Sequence, residues 1–86
     1  MYQKVSDKEY LIDGGMDLEE LNEELDLDLP TEEGVETLAG FLYGLFGSVP
    51  KETQQIDYND YHFVIEKVIR RRIKMVRIIL NYKLNQ

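Results

Sequence analysis

Apolar residues recur at helical intervals through the first half of the chain and alternate in the last third. In MDLEELNEEL, Leu18, Leu21 and Leu25 fall at i, i+3 and i+7, which places one apolar stripe on a helix. Asp17 stands at the N-cap, and Glu20 follows three residues later as in a capping box. Met16, just before the cap, can pack on Leu21 as a hydrophobic staple. Ahead of this helix, EYLI (residues 9–12) is a short strand stopped by the turn Asp13-Gly14-Gly15. A second stripe of Val35, Leu38, Ala39, Leu42, Leu45 and Phe46 predicts a second helix. Thr31 would cap its start, and Gly47 and Pro50 end it. Gly40 and Gly44 each cost this helix about 1 kcal/mol against alanine. Close packing of a sheet against them is the expected reason. Gly34, early in the same helix, is out of place.

Residues 55–58 open the β region, and Asn59-Asp60 forms a turn. Tyr61, Phe63 and Ile65 then alternate as in a half-buried strand, closed by Val68 and Ile69. Residues 73–80 form the next strand with broken alternation. Ile73 and Met75 share one parity, whereas Val76, Ile78 and Leu80 share the other. A β-bulge near Lys74-Met75 reconciles them, because one extra residue swaps the faces. Residues 1–8 read as a flexible lead-in and residues 81–86 as a frayed tail, leaving a domain at residues 9–80.

A chain of 86 residues suits one small domain, and 43% hydrophobic residues is enough for a packed core. The absence of cysteine removes disulfides, thiolate metal sites and cysteine nucleophiles. The N-terminus lacks the apolar core of a signal peptide, so none is expected. The longest near-apolar stretch, residues 38–49, is too short for a membrane span of about 20 residues. The fragment is therefore expected to be soluble and not to insert into a membrane.

Charge is divided. Residues 1–36 hold 13 of the 17 acids, with Lys4 and Lys8 as their only bases. The plain reading is two oppositely charged parts that attract each other; such a split also marks interaction faces. The net charge of -7 repels phosphate at a distance, which argues against a nucleic-acid partner. VIRRRIKMVRIIL (residues 68–80) also lacks the aromatics that would stack on bases. Its β-branched residues favour a hairpin with Arg70, Arg71 and Arg72 at or near the turn, and Lys74 and Arg77 on an exposed face.

Catalytic chemistry is thin. His62 is the one histidine and lies in a strand, where a satisfied side chain is the simpler role. Neither Ser6 nor Ser48 sits in a nucleophile elbow, and no phosphate loop occurs. Asp13, Asp17 and Glu20 are the best-placed carboxylates for a hard cation. They do not match a calcium loop, and a solvated helix face explains them as well.

The order of signals in LIDGGMDLEELNEELDLDLP, ETLAGFLYGLFGSVP and RRIKMVR resembles the transporter-associated domain of the CorC/HlyC family. The family's "DG", "LDELNELL", "LP", "TLAG", "G-x-[IV]-P" and "RRIKxVR" elements match Asp13-Gly14, residues 18–25, Leu29-Pro30, residues 37–40, residues 47–50 and residues 71–77. The likeness covers about residues 7–80. Family members often carry Asp-Gly before "RRI", where this chain has Ile69-Arg70. The resemblance implies an α+β fold of order β-α-α-β-β-β, an antiparallel sheet packed by two helices, similar to part of a flavin-binding domain. It implies a domain on the cytoplasmic side of the bacterial inner membrane, following a membrane-embedded domain and a CBS-domain pair in proteins linked to magnesium and cobalt efflux. It brings no catalytic residues, and FAD enters by fold analogy alone, so no cofactor is expected.

The expected function is a non-enzymatic regulatory or assembly module of an ion transporter, with the CBS pair and membrane domains as partners. Its contact faces would be Glu19 and Glu23 on the acidic helix, and Arg71, Arg72, Lys74 and Arg77 on the basic hairpin. The alternative is a sensor for FAD, an adenine nucleotide or a divalent cation. Residues 78–80 also suggest a homodimer through sheet-edge pairing.

Overall fold

The computed structural model describes residues 2–80. Five strands and two helices follow in the order β1 (Tyr2–Lys4), β2 (Glu9–Asp13), α1 (Leu18–Leu25), α2 (Leu38–Phe46), β3 (Gln55–Tyr58), β4 (Tyr61–Ile69) and β5 (Arg72–Ile79). The strands form one sheet in the order β1-β2-β5-β4-β3, each neighbour antiparallel. The α+β class and the two-helix antiparallel architecture are as expected, with one strand more. The proposed tail at residues 81–86 lies outside the described residues.

Alternation along the strands builds the core. Ile12, Phe63, Ile65, Ile73, Val76 and Ile78 are buried from the sheet, and Leu18, Leu21, Leu38 and Leu42 from the helices. Each removes a large apolar surface from water, contributing roughly 1.5–3 kcal/mol. The other face of the sheet carries half-buried Leu11, Val64, Met75, Arg77 and Ile79.

The broken alternation in β5 is a slip on both strands of the hairpin. Val76 pairs with Ile65 and Met75 with Lys67, but Ile73 pairs with Val68, so Glu66 and Lys74 each stand outside the register. The bulge at Lys74-Met75 is where the parity change required it, and β4 answers it with a second one. Both strands change phase together, so Ile73 and Val68 stay on the same face as Val76 and Ile65.

Other expectations are corrected. Tyr2–Lys4 is not a loose lead-in: it pairs with β2 from Tyr2↔Ile12 to Lys4↔Tyr10. The Tyr2 ring meets Tyr10 edge-on, and its hydroxyl donates to Glu24. The second helix begins at Leu38, not after Thr31. Its N-cap is Thr37, whose hydroxyl accepts from Gly40 N at 3.1 Å. Residues 32–35 turn instead, with Val35 N donating to Glu32 O and Gly34 at φ +89°, a conformation that suits glycine and ends any helix there. Gly40 and Gly44 do not receive a sheet. A methyl group on Gly44 would meet nothing within 4 Å, and one on Gly40 would meet Thr37 and Val35.

β5 is the central strand, hydrogen-bonded on both sides. Residues 78–80 therefore offer no free edge, and a homodimer through that strand is ruled out by topology. The last hairpin turns at Arg70-Arg71, flanked by the pair Ile69↔Arg72, so the three arginines stand at the turn as expected. Both turn residues are left-handed, at φ 52° and 64°.

Candidate functional site

A concavity lies where the Asp13-Gly14-Gly15 turn meets the β4–β5 hairpin and the C-terminal end of α2. Gly14 makes this meeting possible. Its N–H donates to Lys74 O at 2.9 Å, and its carbonyl accepts from Ala39 N at 2.8 Å. One residue thus ties the bulge of β5 to the start of α2. A Cβ there would overlap the Ile73 carbonyl oxygen and lie 3.0 Å from its carbon, so only glycine fits without a shift. Asp13 secures the turn by accepting from Gly15 N at 2.8 Å.

The resulting cavity holds about 690 Å³. Ala39, Val49 and Ile73 supply apolar lining. Tyr43 reaches across from α2, and its hydroxyl accepts from Ile73 N at 3.0 Å. Its own proton then remains to be donated. Ser48 and Thr37 add hydroxyls, and Gly47, at φ +77°, ends α2 beside them. Arg71, Arg72 and Lys74 line the same cavity, opposed by the single carboxylate of Asp13. None of these three cations makes an ion pair among the described residues.

Arg77 differs from them. On the other face of the sheet, its Nη1 donates to Glu9 at 2.9 Å and its Nε to Glu66 at 3.0 Å. The guanidinium of β5 thus joins the flanking strands β2 and β4. The Glu66 hydrogen bond, then that of Glu9, hold its pKa above the usual value, although partial burial works the other way. His62 is buried on this face, with Nδ1 on the Asp57 carboxylate and Nε2 on the Gln55 side chain at 2.6 Å. All three lie on the paired strands β3 and β4.

The acidic candidates separate. Glu19 and Glu23 are exposed on α1. Asp17 accepts from Glu19 N and Glu20 N as the helix cap, and Asp13 serves its own turn. Among the described residues no group of three or more His, Asp or Glu side chains is placed to hold a metal. Sequence reasoning found the basic run and the glycine turn. It missed Tyr43, Ser48 and Thr37, whose spacing in the chain carries no signal of their meeting.

A family model described as the transporter associated domain, CorC_HlyC, matches residues 3–81. The chain superposes on a hemolysin domain from Enterococcus faecalis V583 with TM-score 0.84 and 30% identity, over 92% of this chain and 95% of that one. A transporter associated domain from a Xylella fastidiosa Temecula1 hemolysin, in complex with Mg²⁺ and Mn²⁺, gives TM-score 0.77 and 28% identity over 92% and 95%. A polyamine export protein of Haemophilus influenzae is 39% identical over 57 residues, which is 65% of this chain but 13% of that protein.

Proposed function

Because the chain belongs to the CorC_HlyC family of transporter associated domains, we propose that it is a non-catalytic regulatory or assembly module of a membrane transport protein. One observation carries this reading: the chain corresponds almost fully to a separate domain of E. faecalis, yet to 13% of a polyamine export protein. A module of this kind acts on its parent through contact. The parent's CBS pair and membrane domains are the proposed partners, on the cytoplasmic side of the bacterial inner membrane. No helix among the described residues is long and apolar enough to cross a membrane, so a membrane-crossing helix would belong to the rest of the parent. Its cargo would be a cation of the magnesium and cobalt type or, by analogy with the H. influenzae relative, a polyamine.

Exposed Glu19 and Glu23 on α1, and Arg71, Arg72 and Lys74 at the hairpin, are the proposed contact faces. Charge at such faces tunes specificity and association rate more than affinity. Arg77 is already engaged within the sheet, so its contribution is to the fold that presents them. The test is Glu19→Lys with Glu23→Lys in the full-length parent. Transport or its regulation should change while the domain keeps its thermal stability. Parent-like transport from a correctly folded variant would overturn the acidic contact face.

A further inference from the structure

We infer that the cavity between the Gly14-Gly15 turn and the β4–β5 hairpin binds a small anionic molecule with an apolar portion, of the size of a nucleotide. Three features point there. The volume, about 690 Å³, falls in the roughly 300–1,000 Å³ range of small-molecule pockets. Its charge is opposite to that of the molecule: three cations face one carboxylate in a chain of net charge -7. Those cations have no ion-pair partners among the described residues, so an arriving anion displaces no internal pair.

The third feature is backbone conformation. Positions 70 and 71 both have positive φ, where glycine, asparagine or aspartate is the low-energy choice. The chain holds arginine at both, and strain of this kind gathers at functional sites. The turn aims Arg71 and the following Arg72 at the cavity that Lys74 reaches from the bulge. The ligand's charged end would meet this cationic rim. The Tyr43 hydroxyl and Ser48 would offer hydrogen bonds, and the apolar portion would lie against Ala39, Val49 and Ile73. This site requires no contact with the parent, so it is tested with the 86-residue chain alone.

The experiment is a titration of the ¹⁵N-labelled chain with adenosine monophosphate, sodium pyrophosphate and adenosine, followed by ¹H–¹⁵N NMR at low salt. Adenosine monophosphate and pyrophosphate should shift the Gly14, Gly15, Ser48 and Ile73 amides saturably. Only adenosine monophosphate should also move Ala39 and Val49. Adenosine, lacking charge, should bind at least tenfold more weakly. Arg72→Gln and Lys74→Gln, both at exposed positions, should each weaken binding about tenfold while leaving distant amides in place. Absence of saturable shifts with either phosphate would overturn the site. So would shifts centred elsewhere, affinity unchanged in both variants, or adenosine binding as tightly as its phosphate.

Discussion

At the scale of single residues, glycines that look alike in the sequence have opposite roles. Gly14 is hemmed in by the Ile73 carbonyl, so Gly14→Ala forces the bulge and the turn apart. It should cost about 2–3 kcal/mol in urea unfolding, the upper part of the range for overpacking. Gly44 faces open space on α2. Gly44→Ala should therefore stabilise the domain by about 0.5–1 kcal/mol, read as a raised Tm. The sequence showed both glycines but not which one is crowded, because crowding comes from a strand some 60 residues away in the chain. The Arg70-Arg71 turn gives a third test. Arg70→Asn with Arg71→Gly supplies the residues a left-handed two-residue turn favours. It should stabilise by about 1–2 kcal/mol in the same assay. The double variant should also lose affinity for anions, since Arg71 lines the cavity. Stability gained and binding lost in one variant is the trade expected where strain serves a site.

At the scale of elements, local signals were legible where a side chain bonds its own backbone. Asp17 caps α1 as the pattern of acids and leucines required. The start of α2 was read six residues early. Val35 fits the helical spacing, but Gly34 turns the chain, and Thr37 rather than Thr31 bonds the first turn. Thr37→Ala should accordingly cost about 1 kcal/mol, whereas Thr31→Ala should change stability little. Strand β1 escaped notice because three exposed residues carry no alternation; its pairing with β2 comes from tertiary context. The bulge in β5 was legible from Ile73 against Val76 and Ile78, since one inserted residue restores their common buried face, while Met75 falls on the other. Arg77 holds three strands together through two carboxylates. Arg77→Glu places a third negative charge between Glu9 and Glu66. The loss should exceed the roughly 0.2–1 kcal/mol of an ordinary exposed pair, and a double variant with Glu9→Lys should recover part of it.

At the scale of the whole molecule, the charge division of the sequence survives folding. Arg77 with Glu9 is an ion pair that joins the acidic first part to the basic second part, but Arg71, Arg72 and Lys74 keep their charge unpaired among the described residues. The two parts therefore do not simply neutralise each other, and a basic cavity persists on an acidic domain. The cations were visible in the sequence; their assembly with Gly14, Tyr43 and Ser48 was not, because it depends on strand order. That order places the last strand in the middle. β2 has its first residue paired with Ile79, so it must wait for almost the whole chain before its main partner exists. During synthesis, β1 and β2 emerge early with only each other to hold them, and a two-stranded ribbon of that length is marginal at best. The five-stranded sheet thus cannot be complete before β5 is out of the ribosome. A ribosome that stops short of residue 72 releases a chain in which β2 and β4 lack the strand they share, so this sheet cannot be completed.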